Sequence, residues 1–354
     1  TWFSNGQKET EINFVNDKPD GVCKYWYENG NQKSIQNTKN GVPHGYFMLW
    51  YENGNPKSEE NMFEGKHDGE HTAWFENGNI HEKQNFNDGA LHGKVSTFHE
   101  DGCLSHERNY VNGVQEGTVV IYYKNGQKKT EADYVKDDLK QGKCSDWFES
   151  GNLKSLENYV DDKRDGENKY FHENGQPHIT ENYKMEVLHG PKAQWFESGA
   201  LRYEENYKDD MLDGKHLEWY ENGQLKGENN FKSGIKVGLS VFWYENGQKA
   251  QENNYINDKF DGVFTQWYEN GQKSHEKNYV NGQLEDVFTS WYETGQIKFM
   301  LNCKNGLRNG ESIMWYENGQ KQSVENFIDD KRDGEQTYWE ENGEVRFKGY
   351  HKDE

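Results

Sequence analysis

The sequence predicts an all-β fold, an elongated repeat array of about fifteen 24-residue β-hairpins that form a twisted or coiled antiparallel meander. One observation is a six-residue unit, Trp26 to Asn31, of which near-copies such as Trp219 to Gln224 recur along the whole chain. A second is the constant spacing of the glycine in that unit, because every step is 24 residues except the 25 between Gly126 and Gly151. A third is that alternating segments flank an Asn-Gly pair, which is typical of a hairpin. The repeat glycines are Gly6, Gly30, Gly54, Gly78, Gly102, Gly126, Gly151, Gly175, Gly199, Gly223, Gly247, Gly271, Gly295, Gly319 and Gly343.

The domain organisation follows from this repeat. We expect a single continuous domain over residues 1–354, since no segment has a composition of its own. Only 31% of the residues are hydrophobic, which by itself would favour disorder. The aromatic content of 15% favours an ordered chain, because repeats that pack only against their neighbours need a smaller aliphatic core than a globule does.

Charge and cysteine content exclude several classes of function. The net charge of -21, from 62 acidic and 41 basic residues, opposes binding to nucleic acid and to anionic membranes, since both require basic patches. Cys23, Cys103, Cys144 and Cys303 lie in different repeats, so they predict neither a disulfide framework nor a zinc site. The sequence also has no apolar run of the length that a membrane-spanning helix requires.

Within one unit, the Asn-Gly pair predicts a two-residue type I′ turn, because that turn requires positive φ at both central residues. In the copy at Asn29-Gly30, the turn joins a strand from about Val22 to Glu28 to a strand from Asn31 to about Thr38. A two-residue loop fixes the register, so Trp26 is expected opposite Lys33. Alternation along each strand then places successive side chains on opposite faces of the sheet.

Tryptophan occupies one fixed place, four residues before the turn glycine. A lysine or arginine stands three residues after that glycine in many units, so the predicted register places it across from the tryptophan of its own hairpin. We therefore expect cation–π stacking between the two, worth about 0.5–1 kcal/mol at an exposed site. The twelve tryptophans are Trp2, Trp26, Trp50, Trp74, Trp147, Trp195, Trp219, Trp243, Trp267, Trp291, Trp315 and Trp339.

Other positions repeat in the second half of each unit. Asparagine stands seven residues after the turn glycine, as Asn37 does, and we expect it to form structural hydrogen bonds; Tyr or Phe usually follows it, on the face opposite tryptophan. The connector to the next unit is Asn-Gly, as at Asn40-Gly41, or Asp-rich, as at Asp329-Asp330, and both suit a tight turn with positive φ. A second glycine, such as Gly45, follows fifteen residues after the first, and the extra residue of the array falls in the connector Lys136 to Gln141.

These motifs resemble those of a known family. Trp219 to Gln224 reads Trp-Tyr-Glu-Asn-Gly-Gln and is followed by Gly238, while His44-Gly45, His92-Gly93 and His189-Gly190 look like the His-Gly ending of a MORN (membrane occupation and recognition nexus) loop. The whole chain resembles the variant MORN repeat, including the YwqK-type antitoxin proteins of bacteria. The resemblance implies a repeat scaffold whose members have different functions. The name of the family implies lipid binding, which the acidic charge of this chain opposes.

We expect no enzymatic activity and no cofactor. The sequence contains no zinc-protease helix, nucleophile elbow, phosphate loop or dinucleotide fingerprint, and catalysis needs one constellation rather than fifteen similar ones. Asp161, Asp162 and Asp165 are the candidate calcium ligands, but their spacing departs from that of an EF-hand loop, so we predict no metal site.

The leading functional prediction is binding of a protein partner, as an antitoxin-like, adhesion or host-interaction surface, because repeat arrays use extended faces in this way. Divergent strands that are unusually apolar predict the contact zone, although local packing explains them as well. The alternative is carbohydrate or cell-wall binding through the Trp/Tyr ladder, since tryptophan rows stack on sugar faces. The candidate binding residues are Trp26, Trp50, Trp74, Trp147, Trp195, Trp219, Trp243, Trp267, Trp291, Trp315, Phe47, Leu49, Ile121 and Tyr122.

Localisation has two readings. The sequence starts at Thr1, without Met and partway through a predicted strand, which favours an exported or cell-surface protein from which an upstream piece was removed. Four unpaired cysteines favour a reducing cytoplasm instead.

Overall fold

The computed structural model describes residues 1–135 and 139–352, and within them every regular element is a β-strand. The all-β antiparallel meander of hairpin repeats is therefore confirmed. No helix in this described part of the chain is long and apolar enough to cross a membrane. Part of the connector that holds the extra residue of the array, residues 136–138, lies outside the described residues. The chain forms two compact units, Thr1–Gly175 and Gln176–Glu354.

In the first unit, each long strand pairs antiparallel with the next along the chain, and short strands extend the connectors. The described strands are β1 Thr10–Glu11, β2 Phe14–Val15, β3 Lys18–Pro19, β4 Gly21–Trp26, β5 Gln32–Lys39, β6 Val42–Trp50, β7 Pro56–Phe63, β8 Lys66–Trp74, β9 Ile80–Asn87, β10 Ala90–Leu91, β11 Gly93–Phe98, β12 Leu104–Val111, β13 Val114–Gln115, β14 Gly117–Tyr122, β15 Lys128–Val135, β16 Leu139–Trp147, β17 Leu153–Val160, β18 Lys163–Arg164 and β19 Gly166–Phe171.

The second unit has the same antiparallel order. Its described strands are β20 Pro177–Lys184, β21 Val187–Leu188, β22 Gly190–Trp195, β23 Leu201–Lys208, β24 Met211–Leu212, β25 Gly214–Trp219, β26 Leu225–Lys232, β27 Ile235–Lys236, β28 Gly238–Trp243, β29 Lys249–Ile256, β30 Lys259–Phe260, β31 Gly262–Trp267, β32 Lys273–Val280, β33 Gln283–Trp291, β34 Ile297–Lys304, β35 Leu307–Trp315, β36 Lys321–Ile328, β37 Lys331–Arg332, β38 Gly334–Trp339 and β39 Val345–His351.

The turn at the repeat glycine differs from the predicted one. The Gly30 amide donates to the Tyr27 carbonyl at 2.9 Å, and the Tyr27 amide donates to the Asn31 carbonyl at 2.9 Å. Gly30 has a φ of 91° but Asn29 is not left-handed, so this is a three-residue loop, a type I turn followed by a glycine bulge. The predicted type I′ turn is therefore wrong at this position.

The extra loop residue changes the register next to the turn. Trp26 pairs with Gln32, not with the predicted Lys33, and the register shifts between Tyr25 and Trp26. From the pair Tyr25 and Ser34 outward, the predicted register is confirmed. A β-bulge next to the turn thus accommodates the additional loop residue. Beyond the bulge, the strands pair in the register that the alternation of side chains predicts.

The connectors contain the two-residue turns. Asn40 and Gly41 have φ of 52° and 81° and join the paired residues Lys39 and Val42. The Asp-rich connector adopts the same turn, with φ of 48° at Asp161. The predicted positive φ is confirmed in both the Asn-Gly and the Asp-rich connectors. A two-residue loop with positive φ at both residues is a type I′ hairpin turn.

Most of the fully buried side chains lie on the face opposite tryptophan. Position seven before the turn glycine supplies several of them, including Cys23 at 0% and Phe264 at 7% exposure. The aromatic residue that follows the repeated asparagine lies on this face too, as predicted, and Phe327 there is 3% exposed. In the second unit, the Tyr255 ring stacks on the ring of its cross-strand partner Phe260 at 4.9 Å. This face therefore supplies the main core of each unit.

Candidate functional site

The tryptophan row is half-buried in the structure, apart from Trp2, which is 67% exposed. Its backbone is tied to the preceding repeat, since the Tyr27 hydroxyl donates to the Trp50 carbonyl at 2.8 Å. The same hydroxyl-to-carbonyl bond, called here the tyrosine rung, recurs from Tyr27, Tyr51, Tyr123, Tyr220, Tyr244, Tyr268, Tyr292 and Tyr316. The repeated tyrosine is therefore a link between repeats.

The turn asparagine provides a second link. The Asn29 side-chain oxygen accepts from the Asn31 amide at 2.9 Å, and its side-chain nitrogen donates to the Glu52 carbonyl of the next repeat at 3.0 Å. Equivalent bonds to the next repeat start from Asn5, Asn29, Asn53, Asn77, Asn125, Asn222, Asn246, Asn270 and Asn318. In the Trp-Tyr-Glu-Asn-Gly unit, the Tyr and Asn side chains of one repeat thus donate hydrogen bonds to the Trp and Glu backbone carbonyls of the next repeat. The recurrence of these residues is explained by the stacking of repeats.

Cation–π contacts occur, but their partners differ from the prediction. The basic residue three positions after the turn glycine lies over the ring that follows tryptophan, as Lys33 does over Tyr27 at 5.6 Å. The lysine two positions after the glycine lies over the tryptophan of the next repeat, as Lys249 does over Trp267 at 5.8 Å. The predicted pairing failed because the three-residue loop removes Lys33 from its place opposite Trp26.

The asparagine seven residues after the turn glycine has the predicted structural role. The side-chain nitrogen of Asn230 donates to the Leu239 carbonyl at 2.7 Å, and that of Asn302 donates to the Glu311 carbonyl at 2.6 Å. Each bond satisfies a carbonyl beside the second glycine of the unit, where the strand ladder is interrupted. This asparagine therefore holds the connector in place.

The core of the second unit contains a group of mutually paired polar side chains. The Glu205 carboxylate contacts the His216 ring nitrogen at 2.9 Å and accepts from the Tyr207 hydroxyl at 2.9 Å. Burial alone would raise the pKa of Glu205, but the hydrogen bonds from His216 and Tyr207 outweigh it and hold the pKa below its usual value. Lys192 and Glu181 form a neighbouring ion pair at 3.0 Å. These groups satisfy one another, which favours a structural role.

The apolar strands predicted as a contact zone are largely packed. Met48 and Val119 are each 7% exposed, so they belong to the core, while Phe47, Leu49 and Ile121 are half-buried. Tyr122 is also half-buried, and its hydroxyl donates to the Glu107 carboxylate at 3.0 Å. Burial and that carboxylate raise the pKa of Tyr122 to about 12.

The candidate calcium ligands take part in hydrogen bonds that hold their connector. The Asp162 carboxylate accepts from the Lys140 amide at 2.9 Å, and the Asp161 amide donates to the Gln141 side chain at 3.1 Å. Asp165 donates its amide to the Asn158 carbonyl at 2.9 Å. In the described part of the chain, no three His, Cys, Asp or Glu side chains are grouped so that they could hold a metal ion.

The structure exposes a surface that the sequence analysis missed. On the tryptophan face of the second unit, several aliphatic residues near the connectors are exposed, and five of them, between 38% and 57% exposed, lie in three consecutive repeats. They are Leu239, Ile256, Val263, Val280 and Val287, and together they are called here the connector stripe. The signal in the sequence was an aliphatic residue just after the second glycine in two repeats, and after Asp286 in the next, at a place where seven other repeats have Lys or Glu.

Strand register brings residues of the stripe together in pairs. Leu239 and Val263 pair with Asn254 and Asn278, and the next residues on the same face of those two partner strands are Ile256 and Val280. Such diagonal neighbours lie about 7–8 Å apart, within reach of each other. The stripe therefore has members on strands β28, β29, β31, β32 and β33, all on one face of the sheet.

Comparison with known proteins identifies one family. A family model described as MORN repeat variant matches twelve segments, which together cover most of the chain. A search of curated proteins finds no match. The matched segments are residues 19–40, 43–63, 68–88, 115–136, 140–161, 164–185, 188–209, 212–233, 236–257, 260–281, 308–329 and 332–353.

Solved structures give only distant similarity. The crystal structure of TcdB2-TccC3 is 11% identical, with 97% of this chain and 23% of that chain covered and a TM-score of 0.18. The Tc holotoxin pore of Photorhabdus luminescens is 11% identical, with 96% of this chain and 24% of that chain covered and a TM-score of 0.16. This chain spans about a quarter of the length of those chains, and TM-scores of that size support no functional argument.

Proposed function

The chain belongs to the MORN repeat variant family, and from that membership and the surface described above we propose that it is a non-enzymatic scaffold that binds a protein partner. The antitoxin-like, adhesion and host-interaction roles are narrower forms of this proposal, and they differ in the identity of the partner.

The connector stripe is the observation that carries the proposal. Aliphatic side chains such as Val263, at 57% exposure, and Leu239, at 51%, are exposed on one face of three consecutive repeats, in a chain whose hydrophobic content is only 31%. Exposed apolar bands rimmed by polar residues commonly mark sites of protein association. A repeat array adds many modest contacts along such a band without a deep pocket.

Binding of carbohydrate through the tryptophan row has less support. A sugar stacks on the face of an aromatic ring, but Lys249 lies over Trp267 and Lys273 lies over Trp291, each at 5.8 Å from the ring centre. The tyrosine rungs and the neighbouring repeats also leave the row half-buried. The tryptophan rings are therefore already engaged in contacts between repeats in the absence of a ligand.

Peptide display against the folded chain tests the proposal. Peptides are selected on the wild-type chain, and their affinities are then measured on Val263→Asp and on Glu311→Ser. Glu311 is the matched control, because it occupies the position of Val263 two repeats further on and is already polar. We expect Val263→Asp to weaken the selected peptides at least about tenfold, equivalent to about 1.4 kcal/mol, and Glu311→Ser to leave them unchanged.

Two results would contradict the proposal. One is a set of selected peptides that bind Val263→Asp and the wild type equally. The other is a glycan array in which a soluble glycan binds and quenches tryptophan fluorescence saturably while peptide selection yields nothing, which would favour carbohydrate binding.

A further inference from the structure

We propose that the partner of the connector stripe is an acidic amphipathic helix, which presents aliphatic side chains to the stripe and carboxylates to a row of lysines beside it. This inference rests on the proposed function and specifies the chemistry of the partner.

The lysines lie directly across from the exposed aliphatic residues. In the connector hairpins of the second unit, Lys232 pairs with Ile235 and Lys259 pairs with Ile256. Cross-strand partners point to the same face of a sheet, so each lysine is next to an exposed aliphatic side chain. The residues called here the connector lysines are Lys208, Lys232, Lys259 and Lys304.

The connector lysines have no counterion in the structure. All four are exposed, and in the described residues none of their side chains forms an ion pair, a hydrogen bond or a ring contact. Elsewhere in the same unit, lysines do find partners, as Lys249 does with Glu252 at 2.5 Å and Lys215 with Glu228 at 2.7 Å. Lys232 and Lys304 occupy, in the repeats on either side, the position that Ile256 and Val280 occupy in the stripe, and Lys259 lies across from Ile256. Unpaired cations therefore border the apolar stripe in a chain whose net charge is -21.

Charge complementarity then selects the partner. A segment that covers the stripe with aliphatic side chains and meets the connector lysines with carboxylates gains both hydrophobic burial and charge pairing. A basic segment would meet the lysines unfavourably. A second copy of this chain offers glutamates at its hairpin turns, such as Glu245 and Glu269, but there they stand beside Asn and Gly rather than aliphatic residues.

The spacing suits a helix. Each repeat contributes two strands, so equivalent positions in successive repeats lie about 10 Å apart along the sheet. Seven residues of α-helix rise about 10.5 Å, so a helix with an apolar stripe and one carboxylate per heptad stays in step with the repeats over several units. Recognition of amphipathic helices through regularly spaced anchors is a common mode of peptide binding.

A matched set of probes tests this inference by fluorescence anisotropy. The first probe is a helical peptide of about 21 residues with a leucine stripe and one glutamate per heptad. The second has lysine in place of each glutamate, and the third is a vesicle of phosphatidylcholine and phosphatidylserine. The variants of the full chain are Val263→Asp, Lys259→Glu and, as the control, Lys321→Glu, which makes the same charge change at the turn end of the same unit.

We expect the acidic peptide to bind the wild type about tenfold more tightly than the basic peptide, with an affinity that falls as salt rises. Lys259→Glu should weaken the acidic peptide about three- to fivefold and bring the two peptides closer, while Lys321→Glu changes neither. Val263→Asp should weaken both peptides at least about tenfold, and circular dichroism should show that its fold is retained, because Val263 is exposed.

The failing outcomes separate the two proposals. Equal affinity for the acidic and basic peptides, with both lost in Val263→Asp, would overturn the acidic partner and leave the stripe as a protein-binding surface. A peptide that binds Val263→Asp as well as it binds the wild type would overturn both proposals. Binding to the vesicles but to neither peptide would also overturn the inference, as would self-association of the chain that Lys259→Glu abolishes.

Discussion

At the scale of single residues, the tyrosine rung turns a repeated side chain into a link between repeats. The Tyr244 hydroxyl donates to the Trp267 carbonyl at 2.7 Å, whereas Phe75 holds the same position in its own repeat without a hydroxyl. A hydrogen bond of this kind contributes about 1 kcal/mol net. We therefore expect Tyr244→Phe to lower the free energy of unfolding by about 1 kcal/mol, as measured by urea unfolding.

Phe75→Tyr is the reciprocal variant. Its new hydroxyl should reach the Phe98 carbonyl, which lies at the same sequence separation of 23 residues as in the neighbouring rungs. The free energy of unfolding should then rise by up to about 1 kcal/mol. If Tyr244→Phe leaves stability unchanged, the rung exchanges one hydrogen bond for an equally good one to water, and the repeated tyrosine is explained by ring packing alone.

At the scale of the element, each repeat uses two turn types. The turn at Gly30 is a three-residue loop that requires one left-handed residue, whereas the connector at Asn40-Gly41 is a two-residue loop that requires two. In several repeats the second glycine has another constraint, because a side chain there would meet the structural asparagine. A Cβ at Gly310 would lie 3.3 Å from the Asn302 Cβ, while a Cβ at Gly262 has nothing within 4 Å.

These two glycines allow backbone strain and packing to be separated. Their φ values are similar, 106° at Gly310 and 95° at Gly262, so alanine imposes a comparable strain of about 1–2 kcal/mol at each. We expect Gly310→Ala to destabilise the chain more than Gly262→Ala, because only the former must also displace Asn302. Urea unfolding of both variants provides the measurement, and equal losses would show that the asparagine yields without cost.

The sequence was sufficient to predict most of each repeat, but not the turn at the repeat glycine. The 24-residue period and alternation predicted the hairpins, the register from Tyr25 and Ser34 outward, and the structural role of Asn37 and its equivalents. The turn at Asn29-Gly30 was mispredicted because Asn-Gly fits both a type I′ turn and a type I turn with a glycine bulge. One additional residue in the loop decides between them, and it also moved Lys33 from Trp26 to Tyr27.

The candidate site shows why surface function is harder to predict. Tryptophan is the most prominent repeated residue, yet its row is half-buried and its carbonyls are engaged by tyrosine rungs. Val263 and Ile256 are ordinary strand residues in the sequence, and their exposure depends on which face packs and where the connectors bulge. Alternation separates the two faces of a strand, but the packing of neighbouring repeats decides how far each side chain is covered.

At the scale of the whole molecule, the two units differ in how continuous their tyrosine rungs are. In the second unit, rungs run without a gap through five successive repeats, from Tyr220 to Tyr316. In the first unit, Phe75, His99 and Phe148 stand at rung positions and carry no hydroxyl to donate. Stability in a repeat array is approximately the sum of repeat terms and nearest-neighbour terms, so missing rungs lower the neighbour terms locally.

Hydrogen exchange of the full chain should therefore differ between these segments. We expect the backbone amides of the repeats around Phe75 and His99 to exchange with an opening free energy about 1–2 kcal/mol lower than that of the amides between Tyr244 and Tyr292. The reason is that Phe75 and His99 provide no tyrosine rung to the next repeat. Mass spectrometry of exchange at several denaturant concentrations measures this difference, with Phe75→Tyr as the matched variant. If the segment from Tyr244 to Tyr292 opens first, or if Phe75→Tyr slows exchange nowhere, coupling between repeats comes from the strand ladder and not from the rungs.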